Sequence, residues 1–295
     1  MTPDFIGIGA QKAGTSWLAR SLRRHPRIWL APVKEVHYFD RFPRYPSPSH
    51  LAVANPVERL LGRGPCSRAS RKVLFRRCLS LLRHPGWRHL LWECRFVFGT
   101  YGDDWYRSLF QNTRGQVAGE ITPAYSLLDR SDVAEVKRVA PDAKIIFVMR
   151  NPIERAWSQF RFGAAKRGER RLSVPSVEGF SAMLAAPRYA LRSNYARTIR
   201  IWREYFCEEQ MLLGFYDEIQ DDAQLFLRRV MAFLGVEMHP RCIASACRRR
   251  VNVSPSLRMP QGIREVLVNT YAAQIRELAE LAGGCYPSRW LSEES

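Results

Sequence analysis

Lysine, acidic residues and paired cysteines are all scarce in this chain. Only six of its 46 basic residues are Lys; the other forty are Arg. Cys66, Cys78, Cys94, Cys207, Cys242, Cys247 and Cys285 contain no C-x-x-C pair, which leaves no sequence basis for a zinc site. An odd cysteine count, with a start that enters a strand almost at once instead of a charged and apolar leader, fits reduced thiols in a cytosol. Cys242 and Cys247 are near enough in sequence to close a small loop if oxidised. A run of about 18 apolar residues is absent, so no segment reads as a membrane span. Internal repeats, low-complexity stretches and a known nucleic-acid module are missing too, so no nucleic-acid partner is expected.

What remains is a strongly basic chain of 295 residues with 28 acidic groups and a net charge of +18. That balance points to an anionic cofactor, acceptor, nucleic acid or membrane surface as partner. Arg-rich codon usage is the plain alternative, and it makes the few lysines more informative. The hydrophobic fraction of 46% is enough for a sizeable core. At roughly 150 residues per domain two domains would fit, but α/β folds of this size are often single.

Lys12 lies in the stretch around which the chain is organised. Phe5 to Ile8 is a short apolar run, Gly9-Ala-Gln-Lys-Ala-Gly14 is a glycine-bounded turn, and Trp17 to Arg24 reads as a helix. Strand, tight turn and helix start together aim backbone N–H groups and a helix N-terminus at one point, which favours phosphate or sulfate. The glycine spacing matches a P-loop, but Thr15 rather than Lys follows Gly14. The clearest later strand, Ala143 to Met149, runs into Arg150 and not into the Walker-B Asp that would hold Mg²⁺. A P-loop kinase therefore stays open only as an alternative, as does a basic binder of membrane or nucleic-acid surfaces.

His25-Pro26 ends the first helix, and Arg27 to Ala31 reads as a short strand. Pro32 to Asp40 sets Lys34, Glu35 and His37 among Val36, Tyr38 and Phe39. Burial there would raise the pKa of Glu35 and suit it to general-base work, while an ion pair with Lys34 is the bland alternative. His37 reads as a residue that orients a neighbour. Residues 41–63 read as loop. Residues 64–99 interleave Arg with apolar residues and read as two helices broken at Pro85-Gly86. They would either cap the protein itself or lie on an anionic surface such as a membrane.

Tyr101 to Phe110 begins a helix, with Trp105 and Tyr106 available for stacking. Gln116 to Thr122 reads as a strand that sets Glu120 and Thr122 near its carboxyl end. Residues 131–140 read as a helix. Ala143 to Met149 is a continuous apolar run, the mark of a buried parallel strand. Arg150 sits at its carboxyl end, where ligands of open parallel sheets bind. A helix from Ile153 to about Arg167 follows, and Ser158 lies eight residues beyond Arg150, about two helical turns. Helices are expected at 176–186, Ser193–Cys207, Ala223–Leu234 and Pro260–Ala282, and a strand at Met211–Asp217. Arg248 to Ser254 is a basic loop, and a charged tail ends the chain.

Four of these stretches, in this order, resemble sulfotransferases that use 3′-phosphoadenosine 5′-phosphosulfate (PAPS), closest to the heparan sulfate N- and O-sulfotransferase type. They are Gly9-Ala-Gln-Lys-Ala-Gly-Thr-Ser16, Lys34-Glu-Val-His-Tyr-Phe-Asp40, Glu120-Ile-Thr-Pro-Ala-Tyr125 and Ile146-Phe-Val-Met-Arg-Asn-Pro-Ile-Glu-Arg-Ala-Trp-Ser158. Arg192-Ser-Asn-Tyr195 also matches in character. The resemblance implies an α/β, P-loop-like three-layer fold with a central, mostly parallel sheet flanked by helices. It implies one domain over residues 1–295 with a basic amphipathic insertion at about 46–99. By the same resemblance Gln11, Lys12, Ala13, Gly14, Thr15, Ser16 and Trp17 hold the 5′-phosphosulfate, and Arg150 and Ser158 the 3′-phosphate. Arg249, Arg250 and Asn252 belong to a late loop that only loosely matches. Glu35 is the implied base and Lys12 stabilises the departing phosphate oxygen. His37, Glu120, Thr122 and Tyr125 fall on the substrate side. PAPS is the expected donor, PAP the product, and no metal is required. The expected acceptor is a small molecule or glycan, a carbohydrate or glycolipid with a hydroxyl or amine to accept the group, and the expected location is the cytoplasm or the inner face of a membrane, touched through residues 64–99. One departure is clear: Ile121 stands where the heparan type has Lys.

Overall fold

The computed structural model describes residues 1–295 apart from 46–50, 82–85, 112–114, 167–174, 243–256, 284 and 293–295. Its strands are β1 (Phe5–Gly9), β2 (Ile28–Leu30), β3 (Val117–Ile121), β4 (Lys144–Met149) and β5 (Met211–Phe215). They form one sheet in the order β2-β3-β1-β4-β5, and every pairing is parallel. Phe5 sits opposite Gly119 on one side and Lys144 on the other, so β1 is the middle strand. All five of its residues are buried, which is why it reads as an apolar run and not as an alternation.

After β1 comes α1 (Thr15–Leu22). Four helices separate β2 from β3: α2 (Pro56–Leu61), α3 (Pro65–Leu81), α4 (Trp87–Phe98) and α5 (Asp103–Ser108). A 3-10 turn at Pro123–Leu127 and α6 (Arg130–Val139) lead to β4. Then follow α7 (Pro152–Lys166), α8 (Val177–Ala185), α9 (Pro187–Ala190) and α10 (Tyr195–Arg203). Beyond β5 lie α11 (Tyr216–Asp221), α12 (Ala223–Leu234), α13 (Gln261–Ala282) and α14 (Cys285–Ser292).

Side chains alternate across the sheet, so it has two apolar faces. Phe5, Ile121, Ile146, Val148 and Leu212 pack with α1 and α12. Ile6, Ile8, Ala118, Ile145 and Phe147 pack with α6, α7, α10 and α13. The result is the three-layer arrangement expected from the sequence. Ile121 belongs to the first of these faces, where a Cβ built on Gly7 would lie 2.9 Å from its Cγ1. The Ile-for-Lys difference from the heparan type therefore falls in the core.

Three expectations need correction. Residues 41–63 are not all loop, because α2 forms at Pro56. Asn55 caps it, its Oδ1 accepting the N–H of Val57 at 2.8 Å and of Glu58 at 3.3 Å, and Pro56 is preset for the first helical position. The charged tail is instead α14, held by buried Trp290, whose Nε1 donates to Asp217 Oδ1 at 3.1 Å. The helix expected at Ser193–Cys207 spans Tyr195–Arg203, since the Asn194 side chain caps it by accepting the N–H of Arg197 at 3.1 Å. Cys66, Cys94, Cys207, Cys242 and Cys285 are free thiols. The possible Cys242–Cys247 pair lies outside the described residues. Among those residues no helix is long and apolar enough to cross a membrane.

Candidate active site

The turn after β1 is pinned to the neighbouring strand: Ala10 N–H donates to the Val148 carbonyl at 2.6 Å. Lys12 (φ 69°) and Gly14 (φ 83°) both adopt the left-handed region. At Gly14 the requirement for glycine is double, because an added Cβ would also meet the Tyr216 ring at 3.0 Å and Ile219 at 3.1 Å. Gly14 is the N-cap of α1 and offers no side-chain acceptor. The N-terminus of α1 therefore has no side-chain cap from Gly14, and the positive end of the helix dipole lies at the turn. Gln11 and Ser16 are half-buried, Thr15 is buried and Ala13 is fully buried. The Lys12 ammonium lies over the Phe162 ring, 3.9 Å from its centroid. The Trp17 ring packs on Phe226 in the α1–α12 core.

Arg150 brings the end of β4 to the same turn. Its Nη1 donates to the Lys12 carbonyl at 3.2 Å, its Nη2 lies 3.4 Å from Glu154 Oε2, and its guanidinium lies over the Tyr216 ring at 4.8 Å. The Tyr195 hydroxyl donates to the Arg150 carbonyl at 2.9 Å and fixes that peptide from below. Ser158 is buried on α7. Arg249, Arg250 and Asn252 lie outside the described residues.

Glu35, His37 and Asp40 form a second group. His37 turns back on itself with φ 60°, which aims its ring at both carboxylates: Nδ1 is 2.8 Å from Asp40 Oδ2 and Nε2 is 3.2 Å from Glu35 Oε2. Lys34 Nζ donates to Glu35 Oε1 at 2.8 Å. Burial favours a neutral Glu35, but the hydrogen bonds and charges of His37 and Lys34 outweigh it and hold the carboxyl at about 2. Burial likewise disfavours a charged His37, yet Asp40 and Glu35 push it up to about 10. The expected upward shift of Glu35 is therefore reversed. The neighbourhood is apolar, as the sequence indicated, but its ion pairs decide the sign.

A buried polar group holds this segment in place. The Val36 N–H donates to Thr122 Oγ1 at 2.9 Å and to Glu120 Oε2 at 3.3 Å, and the Tyr38 N–H donates to the Tyr125 hydroxyl at 2.9 Å. Glu120 also accepts from the Tyr106 hydroxyl at 2.6 Å and from Thr122 Oγ1 at 2.7 Å. Burial raises the pKa of Glu120, and these bonds only partly offset it. Glu120, Thr122 and Tyr125 were expected on the substrate side. Here they are fully buried, and their polar atoms position the backbone of residues 36–38 instead. Of the two aromatics available for stacking, Tyr106 stacks on Tyr38 with ring centroids 4.8 Å apart, and Trp105 packs on it at a tilt, 5.9 Å away.

Sequence reasoning passed over Asp40, Tyr106 and Tyr195 as site residues. For Asp40 the signal was present, three residues beyond His37. For Tyr106 and Tyr195 no local signal exists, because their partners lie 14 and 45 residues away. The glycine-bounded turn after β1, the carboxylate–imidazole group after β2, held by Glu120 and Thr122 at the end of β3, and Arg150 at the end of β4 are the polar features of this region. Among the described residues no cluster of three or more His, Cys, Asp or Glu could hold a metal ion.

A family model described as "Sulfotransferase family" matches residues 3–240 of this chain. Heparan sulfate glucosamine 3-O-sulfotransferase 3B1 of Mus musculus is 31% identical over 173 residues, 55% of this chain and 43% of that protein. The Homo sapiens protein of the same name is 27% identical over 233 residues, 73% of this chain and 58% of that one. The chain spans about half the length of these curated relatives. A sulfotransferase from Alicyclobacillus acidocaldarius has the same fold, with a TM-score of 0.63, 24% identity, and coverage of 98% of this chain and 99% of that one. The sulfotransferase domain from the curacin biosynthetic pathway follows at a TM-score of 0.52 and 13% identity, covering 96% of this chain and 98% of its own.

Proposed function

The chain belongs to the sulfotransferase family, and from that premise we propose that it transfers the sulfuryl group of PAPS to a hydroxyl of a carbohydrate or glycolipid acceptor. One observation carries the cofactor assignment: Arg150, at the end of β4, reaches the carbonyl of Lys12 inside the anion-binding turn. An arginine at the end of β4 therefore meets the turn that starts α1, which suits a ligand with phosphates at both ends of an adenosine. The donor set fits: glycine where a Cβ would collide, first-turn N–H groups, and cations rather than acidic metal ligands.

When bound, PAPS supplies an electrophilic sulfur with a phosphate leaving group. The first turn of α1, with Thr15 and Ser16, holds the 5′-phosphate, and Arg150 and Ser158 hold the 3′-phosphate. Lys12, which lies over the Phe162 ring, would offset charge on the departing phosphate oxygen, the electrostatic role usually worth most. Glu35 accepts the acceptor's proton at a carboxylate oxygen. In the resting protein Lys34 and His37 hold that carboxylate at low basicity. Lys34, with its side chain 27% exposed, is free to move toward the incoming sulfate, and its departure raises the basicity of Glu35. His37 stays bridged to Asp40 and keeps Glu35 oriented.

The relatives named for heparan sulfate glucosamine favour a glycan acceptor. Incubation with labelled PAPS and a panel of glycans, glycolipids and simple amines tests the reading. Label on a glycan or glycolipid hydroxyl is the expected result. Label confined to amines would overturn the acceptor class, and transfer of phosphate from ATP under the same conditions would overturn the donor.

A further inference from the structure

We propose that the outer face of α4, with the exposed cations of α3, docks the protein on a bilayer surface that carries anionic lipid. Helix α4 is apolar on two sides. Trp92 and Phe96 are buried and stacked at 5.0 Å, facing the protein. Trp87, Leu91, Cys94 and Phe98 follow one another at i, i+4, i+7 and i+11, so they share the opposite side. That side is in water: Trp87 is 67% exposed, Leu91 47% and Phe98 54%. A helix that only capped the protein would carry polar residues there.

The charge around this stripe identifies what covers it. Between residues 65 and 98 the sequence holds eight Lys and Arg against the single acid Glu93. Glu93 is buried and paired with Arg77 at 2.5 Å, so it does not neutralise the surface. The Arg88 guanidinium sits over the Trp87 ring at 5.1 Å, an aromatic–cation pair on the exposed side. On α3, Arg68, Arg71, Lys72 and Phe75 line an open groove, and Phe75 is 67% exposed. An apolar stripe flanked by cations suits the boundary between acyl chains and anionic headgroups. A second copy of the chain would bring the same positive charge to the contact. A hydrated polyanion such as heparin or RNA would meet the cations but gain little from Leu91 and Phe98. Among the described residues no helix is long and apolar enough to cross a membrane, so this contact would be one at the surface.

The docked face is linked to the candidate site by direct packing. Phe96 on the inner side of α4 contacts Trp105 at 5.6 Å, and Trp105 contacts Tyr38 at 5.9 Å, in the segment that carries Glu35 and His37. This proposal does not rest on the assigned reaction, because its test contains no PAPS.

Co-sedimentation of the full chain with phosphatidylcholine vesicles, with and without about 30% phosphatidylserine, tests it. The chain should bind the anionic vesicles at least ~10-fold more tightly than neutral ones. Trp87→Ser combined with Leu91→Ser and Phe98→Ser should lower that binding ~10-fold or more while thermal unfolding stays unchanged, since these side chains face solvent. Arg88→Glu with Lys72→Glu should lower it as well and make the remainder insensitive to salt. Absence of vesicle binding by the parent chain overturns the proposal. So does full binding by the apolar triple variant, and so does a dimer in sedimentation velocity that the triple variant abolishes. Heparin or RNA binding that the triple variant reduces as much as vesicle binding would reassign the face to a polyanion.

Discussion

Replacing His37 by Gln should remove a part of the stability that depends on pH. The imidazole lies between Asp40 and Glu35 at 2.8 and 3.2 Å. Burial disfavours its charge, yet the two carboxylates raise its pKa from 6.5 to about 10. At about 1.4 kcal/mol per unit that difference bounds the contribution at about 5 kcal/mol. The three groups share it and Glu35 is about one-third exposed, so a loss of about 2 kcal/mol is the working expectation. Because the folded-state pKa of His37 is raised, its contribution is complete below 6.5 and disappears as pH rises through about 10. Glu35 acts in the other direction: its pKa falls from 4.5 to about 2, so its share is present above 4.5 and is lost as pH falls toward 2. The group is therefore most stabilising between 4.5 and 6.5. Urea unfolding of the parent and of His37→Gln near pH 6 and near pH 10 reads the difference directly. The gap between the two proteins should be widest near pH 6 and small near pH 10. An equal gap at both would refute the ion-pair account and leave His37 as a packing residue.

Other consequences follow for the site. Glu35→Gln should keep PAP affinity and lower turnover by ~10²–10⁴-fold; unchanged turnover with labelled PAPS would remove Glu35 from the chemistry. Arg150→Ala should weaken PAP by ~10-fold or more, the worth of a charge-assisted hydrogen bond, and barely affect adenosine 5′-phosphate. Equal losses for both ligands in calorimetry would place Arg150 elsewhere. Tyr125→Phe leaves the Tyr38 N–H and Glu120 short of a partner in a fully buried place. It should cost about 1–3 kcal/mol in unfolding free energy, with PAP affinity unchanged; a neutral result would show that water or a neighbour replaces the hydroxyl.

The scaffold was legible where local pattern decides structure. β1 and β4 are continuous apolar runs because both faces of a parallel strand are covered. Helix α12 is bounded by Asp222, which caps it, and by Gly235, which ends it at φ 74°. The turn after β1 was legible for the same reason, since Gly9 and Gly14 sit where backbone geometry demands glycine. Pairings over distance were not legible. The apolar neighbours of Glu35 announced burial, and Lys34 an ion pair, but not that a left-handed turn at His37 would bring its imidazole onto the same carboxylate. Glu120 stood at the end of a strand, and alternation alone does not reveal that its face is covered by Tyr106. Trp17 looked like part of the cofactor turn because it follows it, yet its helix face turns it to Phe226. The short helix α2 was hidden by the Pro and polar residues around it, although Asn55-Pro56 is itself a helix-start signal.

The account stands most directly on the recognition of two separated phosphates. Calorimetric titration of the protein with PAP and with ADP, each with and without Mg²⁺, tests that claim. Tight PAP binding that is indifferent to Mg²⁺ and much stronger than ADP binding is the predicted result. Equal affinity for the two nucleotides, or binding of ADP that requires Mg²⁺, would contradict it.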